Sequence, residues 1–211
     1  MVDIHRPPPR VSVTPTIFTL RSGQYIVRAF DPSRHKTTEL TFREFGSLAR
    51  FDHHRLDPLD PKPSEDRERS IYYAGFTLSC CVVEVFGDKR TIEVGSYCAA
   101  SVKLVRDLKL LDLRGSAAML NGSVVGLSSV PDRELTQEWS RYFYESPHIY
   151  TYVDGIIYPN AHNGEESLAL YERAKEGLHC SPGDVMALNH RLLRADIKRT
   201  AEENGLVVAE Y

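Results

Sequence analysis

Three ionisable residues stand where a folding chain has little use for a charge. Glu84 interrupts Cys80-Cys81-Val82-Val83-Glu84-Val85-Phe86, and Arg28 lies inside Tyr25-Ile26-Val27-Arg28-Ala29-Phe30. Arg50 precedes Phe51, after the glycine-containing run Phe45-Gly46-Ser47-Leu48-Ala49. A carboxylate withdrawn from water is costly unless it is paired and hydrogen-bonded. Three explanations of Glu84 follow: an ion pair with an arginine that fixes packing, a place on an exposed helix face, or a carboxylate retained for chemistry.

Other chemistry-bearing patterns are weaker. Asp52-His53-His54 offers adjacent imidazoles with no second matched pair elsewhere, so no metal is expected. Ser22-Gly23 and Gly122-Ser123 form neither a phosphate-binding loop nor a GxSxG elbow, and no GxGxxG is present. Tyr72, Tyr73 and Phe76 read on composition as core aromatics.

The elements that must position these residues follow from periodicity and punctuation. Gln24 to Phe30 reads as a strand with Tyr25 and Val27 on one face, and Ser70 to Ala74 as a short buried strand. Phe76 to Phe86 has the length and glycine stop of a helix, although its β-branched residues pull towards a strand. Val102–Val105 and Lys109–Leu113 read as strands. Asp132 to Glu145 predicts a helix capped by Asp132, with Leu135, Trp139, Tyr142 and Phe143 on one face. Strands are expected at Gly155–Pro159 and Leu168–Arg173, and a last helix near Asn189–Asn204 stopped by Gly205. Leu56 to Arg69, with Pro58, Pro61 and Pro63, reads as an exposed loop. Short strands with interspersed helices make the fold class α+β.

Composition bounds the rest. At 211 residues, 42% of them apolar, the chain suits one domain: residues 1–16 are expected as a flexible proline-containing tail and residues 17–211 as the folded unit. Its 26 basic and 29 acidic side chains give a formal net charge of −3, without the basic excess of a protein that grips nucleic acid directly. No run approaches the roughly 20 apolar residues of a membrane span, and the first residues do not resemble a secretory signal. Cys80, Cys81, Cys98 and Cys180 fit neither a metal site nor a disulfide framework. Reduced thiols and a cytoplasmic location are the expectation.

In order along the chain, Val27-Arg28-Ala29-Phe30, Ala49-Arg50-Phe51-Asp52, Tyr72-Tyr73-Ala74 and Cys81-Val82-Val83-Glu84 lead to Thr136-Gln137-Glu138-Trp139, Asp154-Gly155-Ile156-Ile157-Tyr158-Pro159-Asn160 and Leu168-Ala169-Leu170-Tyr171-Glu172. This succession resembles the RES domain of bacterial toxin–antitoxin modules, over roughly Ile17 to Ala174. Two departures stand out: Asn160 occupies the place of the family's serine, and the Leu56–Arg69 loop separates the second arginine from the tyrosine.

The resemblance implies a compact RES domain similar in fold to ADP-ribosyltransferase toxins, with NAD as substrate and no separate cofactor. It implies catalytic Glu84, Arg28 and Arg50, with Arg28, Arg50, Tyr73 and Asn160 contacting NAD. Cleavage of the nicotinamide–ribose bond develops positive charge on the ribose, which Glu84 could stabilise, while arginines suit the pyrophosphate. The acceptor stays open: water makes an NAD glycohydrolase, phosphate an NAD phosphorylase, and a protein side chain a mono-ADP-ribosyltransferase. A non-catalytic module that binds a nucleotide or a partner is the other class of reading. A helix-turn-helix antitoxin is the implied partner, and homo-oligomerisation stays open.

Overall fold

Alternating apolar runs broken by glycine, proline and charged turns fold here into many short strands. The structure, a computed structural model, describes residues 4–209. Its first elements are β1 (Ile17–Leu20), β2 (Tyr25–Phe30), β3 (Phe45–Gly46), β4 (Ser64–Glu65), β5 (Ile71–Gly75) and α1 (Leu78–Phe86). There follow β6 (Thr91–Ile92), β7 (Cys98–Leu104), β8 (Leu108–Asp112), α2 (Gly115–Leu120), α3 (Arg133–Glu145) and α4 (Pro147–Tyr150). The chain closes with β9 (Gly155–Pro159), β10 (Glu166–Tyr171), β11 (Leu178–His179), β12 (Val185–Ala187), α5 (Arg194–Asn204) and β13 (Val207–Val208).

The main sheet has the order β1-β8-β9-β10-β5-β2-β7-β11, with β12 also paired to β7. Its pairs are antiparallel except β8 with β9. Because side chains alternate across a sheet, each central strand feeds two cores. One core holds Ile26, Phe30, Tyr72, Ala74, Leu110, Ile157, Leu168 and Leu170. The other holds Ile71, Leu111, Ile156, Tyr158, Ala169 and Tyr171 together with Trp139 and Phe143 of α3. A third cluster joins Val82, Val83 and Phe86 of α1 to Ile197 and Ala201 of α5. The class is α+β, as the element pattern predicts.

Local signals place the helices. Thr77 caps α1 by accepting a hydrogen bond from the Cys80 amide at 2.9 Å, which starts the helix two residues after Phe76. Asp132 caps α3 through the Leu135 amide at 3.1 Å. Gly205 ends α5 in the left-handed conformation, φ +63°. That helix begins at Arg194 rather than near Asn189, because residues up to Leu193 close a turn in which Leu193 donates to the His190 carbonyl at 2.9 Å. The strand expected at Leu168–Arg173 instead spans Glu166–Tyr171, and Glu172–Gly177 turns as a 3₁₀ helix.

From residue 4 onward the N-terminal segment lies against the second core. Trp139 Nε1 donates to the His5 carbonyl at 2.9 Å, Arg6 bonds Glu138, and Thr16 donates to Asn121 Oδ1 at 2.7 Å. No helix among the described residues is long and apolar enough to cross a membrane.

Gly155 marks the tightest approach between strands. It pairs with Leu170 of β10 and Leu110 of β8, and a Cβ there would lie 2.8 Å from the Leu170 Cα. Backbone cannot yield as a side chain can, so Gly155→Ala should destabilise the fold by about 2–3 kcal/mol. A lowered midpoint in urea with unchanged slope is the expected reading; an unchanged midpoint would show that β9 and β10 part without strain.

Candidate functional site

The segment after β3 is a loop whose backbone is held residue by residue. Asp52 is fully buried and accepts two hydrogen bonds from Arg43 Nη2, at 2.7 and 2.8 Å. It also accepts from the Leu48 and Ala49 amides, at 2.6 and 3.0 Å, and from the Tyr73 hydroxyl at 2.8 Å. The loop carbonyls are taken largely by α3. Arg133 donates to Leu48 at 3.4 Å, Gln137 to Ala49 at 3.0 Å, Thr136 to Arg50, and Ser140 to Phe51 at 2.7 Å. A buried loop must satisfy its polar groups somewhere, and this one uses the polar flank of a helix that is apolar on its other side.

The loop forms one wall of a cavity of about 810 Å³. Leu48, Ala49 and Arg50 line it from the loop, with Tyr73 from β5, Glu84, Val85 and Asp88 from α1 and its end, and Ala161 and His162 from the turn after β9. Arg34, Arg43 and Arg133 add cationic side chains to the same lining. A volume of this size is in the range of ligand pockets.

Glu84 is half-buried on this wall, and its Oε2 is enclosed with no hydrogen-bond partner. Burial pushes its carboxyl above the usual range, His162 and Arg50 pull it back, and Asp88 pushes it further up. It is therefore neither in a tight ion pair nor on a solvated helix face. Arg50 donates to the Val130 carbonyl, which holds its stem against the wall. Tyr73 presents its ring to the cavity, but its hydroxyl is committed: it donates to Asp52 and accepts from the Phe51 amide at 3.2 Å. Burial and the Asp52 carboxylate hold that phenol well above its usual range, so it remains the donor.

Of the residues singled out in the sequence, the structure brings Glu84, Arg50 and Tyr73 together. Arg28 is not in the cavity lining. It shares parity with Ile26 and Phe30, so its side chain enters the first core, where it donates to the Thr41 carbonyl at 2.6 Å and lies 4.2 Å from the Tyr72 ring centroid. Asn160 is buried beside the site rather than open to it. Its Oδ1 accepts from the amides of His162 and Asn163, both at 3.0 Å, and so shapes the turn that carries His162. His53 Nε2 meets Glu172 Oε2 and His54 Nε2 meets the Arg43 carbonyl, each at 3.0 Å. Among the described residues no group of three or more His, Cys, Asp or Glu gathers as a metal site would.

Arg34, Arg43, Arg133 and His162 were not singled out by sequence reasoning. Arg133 alone carried a local signal, since it follows the Asp132 cap and must lie at the end of α3 where the loop meets it. The others reach the cavity only through tertiary folding.

The sequence model of a family described as RES domain matches residues 21–196. A similar fold is found in a chain of the M. tuberculosis MbcT–MbcA toxin–antitoxin complex, at 18% identity and a TM-score of 0.52. That match covers 84% of this chain and 90% of the other. No curated protein matches the sequence.

The Asp52 cluster gives a stability prediction. Burial alone would raise this carboxyl, but the Arg43 charge and its hydrogen bonds, with those of Leu48 and Ala49, hold it below the usual range. A depressed carboxyl stabilises the fold above its unfolded value and stops doing so as pH falls through the folded one. Asp52→Asn should therefore destabilise the protein at pH 7 by about 3–5 kcal/mol, by removing the charge that Arg43 faces. It should also flatten the loss of stability below about pH 4. Denaturant titrations of both proteins from neutral to acid pH check this, and parallel curves would remove Asp52 from its central place.

Proposed function

The chain belongs to the RES domain family, and from that premise we propose that it consumes NAD by cleaving the bond between nicotinamide and ribose. The observation that carries this reading is a carboxylate with a free, enclosed oxygen on the wall of an arginine-lined cavity. A module that only binds a partner gains nothing from leaving such an acid unsatisfied, because the unpaired group weakens the fold.

The chemistry follows from the charges. Nicotinamide in NAD already carries a positive charge and leaves as a neutral base, so its departure needs no acid. Positive charge accumulates on the ribose, and Glu84 can hold ribose hydroxyls while its carboxylate stabilises that charge. Arg50 is assigned to the pyrophosphate, with Arg34, Arg43 and Arg133 supplying cationic surroundings. Tyr73 offers a ring face but no free hydroxyl, so it flanks the substrate and braces the loop. Asn160 acts through the turn it shapes. Arg28 supports strand β2 from the opposite core and takes no part in pyrophosphate binding.

The solved neighbour was crystallised as a toxin–antitoxin complex. By that likeness we assign this protein the role of the toxin in such a pair, with a small helix-turn-helix protein as its antitoxin. Water or phosphate is the acceptor in this reading, with a protein side chain as the alternative.

Glu84→Gln should reduce nicotinamide release from NAD by about a hundredfold or more, since the amide keeps the shape but not the charge. Its stability should move the other way. A carboxyl raised by burial favours the fold at low pH and costs stability as pH rises through the folded value, so the variant should melt higher than the wild type at pH 7. The gap should close on acidification. A purely structural Glu84 predicts the reverse: a lower melting temperature with unchanged turnover per folded molecule. Arg50→Ala should weaken both NAD binding and turnover, because phosphate contacts exist in ground and transition states alike.

Expression in a bacterium without the antitoxin should lower cellular NAD and arrest growth. Unchanged NAD at high soluble expression would overturn the reading.

A further inference from the structure

His162 belongs to no part of the recognised pattern, yet its surroundings are built for it. The turn after β9 is closed by the Asn160 side chain, which accepts from the His162 and Asn163 amides, and by the Asn160 carbonyl, which accepts from Gly164 at 3.2 Å. Gly164 adopts φ +77°, the left-handed region that favours glycine. Asn163 ties the turn to α5 through Asn204 Oδ1 at 2.8 Å. The imidazole is then seated on Gly87, where a Cβ would stand 2.7 Å from its Cγ and Nδ1. Gly87 and Asp88 lie three and four residues after Glu84, on the same side of the α1 end. A glycine, an asparagine turn and a helix face thus converge to hold one side chain over Glu84.

We infer that His162 is the base that takes the proton from the incoming acceptor hydroxyl. The inference rests on the NAD-cleaving reading above. Once the Glu84 oxygens are engaged by ribose hydroxyls, deprotonation of the acceptor needs a second group; of the two other proton acceptors in the cavity lining, Asp88 is largely open to solvent and His162 is the one held in place. With water as acceptor, the electron pair of the broken C–N bond leaves with nicotinamide. A water oxygen bonds to the ribose carbon, its proton passes to the imidazole, and the imidazolium releases it to solvent. Asp88 Oδ1 lies 3.9 Å from His162 Nε2. The charged groups that face His162 are Asp88, just past the end of α1, and Glu84 within the helix, and Arg50 lines the same cavity from the facing loop.

The wild type is assayed first. No nicotinamide release from NAD would sink the proposed function itself. Given release, His162→Ala should lower kcat about a hundredfold, the lower range of what a general base contributes, with KM for NAD little changed. Its pH–rate profile should differ in shape from that of the wild type, and added imidazole should restore part of the rate. Retained turnover in His162→Ala would overturn the assignment. So would a lost rate that keeps the wild-type pH profile and is not rescued by imidazole, since that pattern marks a merely structural residue.

Discussion

The buried carboxylate of Asp52 is the interaction on which the site depends. It gathers Arg43, the Leu48 and Ala49 amides and the Tyr73 hydroxyl around one charge. A buried ion pair is weak evidence of stability taken alone, because desolvation offsets the attraction. Here its value is geometric. It fixes an irregular loop, which has no ladder of its own, to strand β5, while α3 takes the loop carbonyls from the other side. Arg50 projects from a segment pinned on both flanks, and a cationic side chain is thereby aimed without being placed on a regular element.

The site divides its work between kinds of structure. The acid comes from near the end of a helix packed on the sheet and on α5. The cations come from loops and helix starts. This division suits chemistry in which the acid must hold a fixed distance from a reacting carbon while phosphates tolerate wider placement. Glu84 has a destabilising position that the rest of α1 compensates through Val82, Val83 and Phe86, all buried. A local rule is broken at Glu84, the residue to which the proposed chemistry is assigned.

Much of the fold was legible because its signals are local. Thr77, Asp132 and Gly205 mark helix ends, and the nearly continuous apolar runs of β9 and β10 mark strands buried on both faces. Glu84 was legible as a charge in an apolar run. The side that Arg28 faces was also legible in principle: Ile26, Arg28 and Phe30 share one parity, as Tyr72 and Tyr73 do not, so Arg28 and the Tyr73 ring part across the sheet. The resemblance grouped them by order along the chain, which carries no information about faces. Asp52 stood beside His53 and His54 in a group too sparse for a metal site, and its side-chain partners, Arg43 and Tyr73, lie 9 and 21 residues away. No periodicity announces a pairing of that kind. The gathering of Arg34, Arg43, Arg133 and His162 is equally a product of tertiary structure.

Trp139 is the only tryptophan in the chain, and it lies at the junction of two contacts. Its indole N–H donates to the His5 carbonyl, while neighbouring residues of the same helix, Thr136 and Ser140, hold the Arg50 loop. One fluorophore thus stands between the beginning of the described chain and the wall of the cavity. Its emission should report whether the N-terminal segment is seated, without any label. An affinity tag joined ahead of this segment is therefore itself a biochemical variable, because the seated residues share the Trp139 helix with the Arg50 loop.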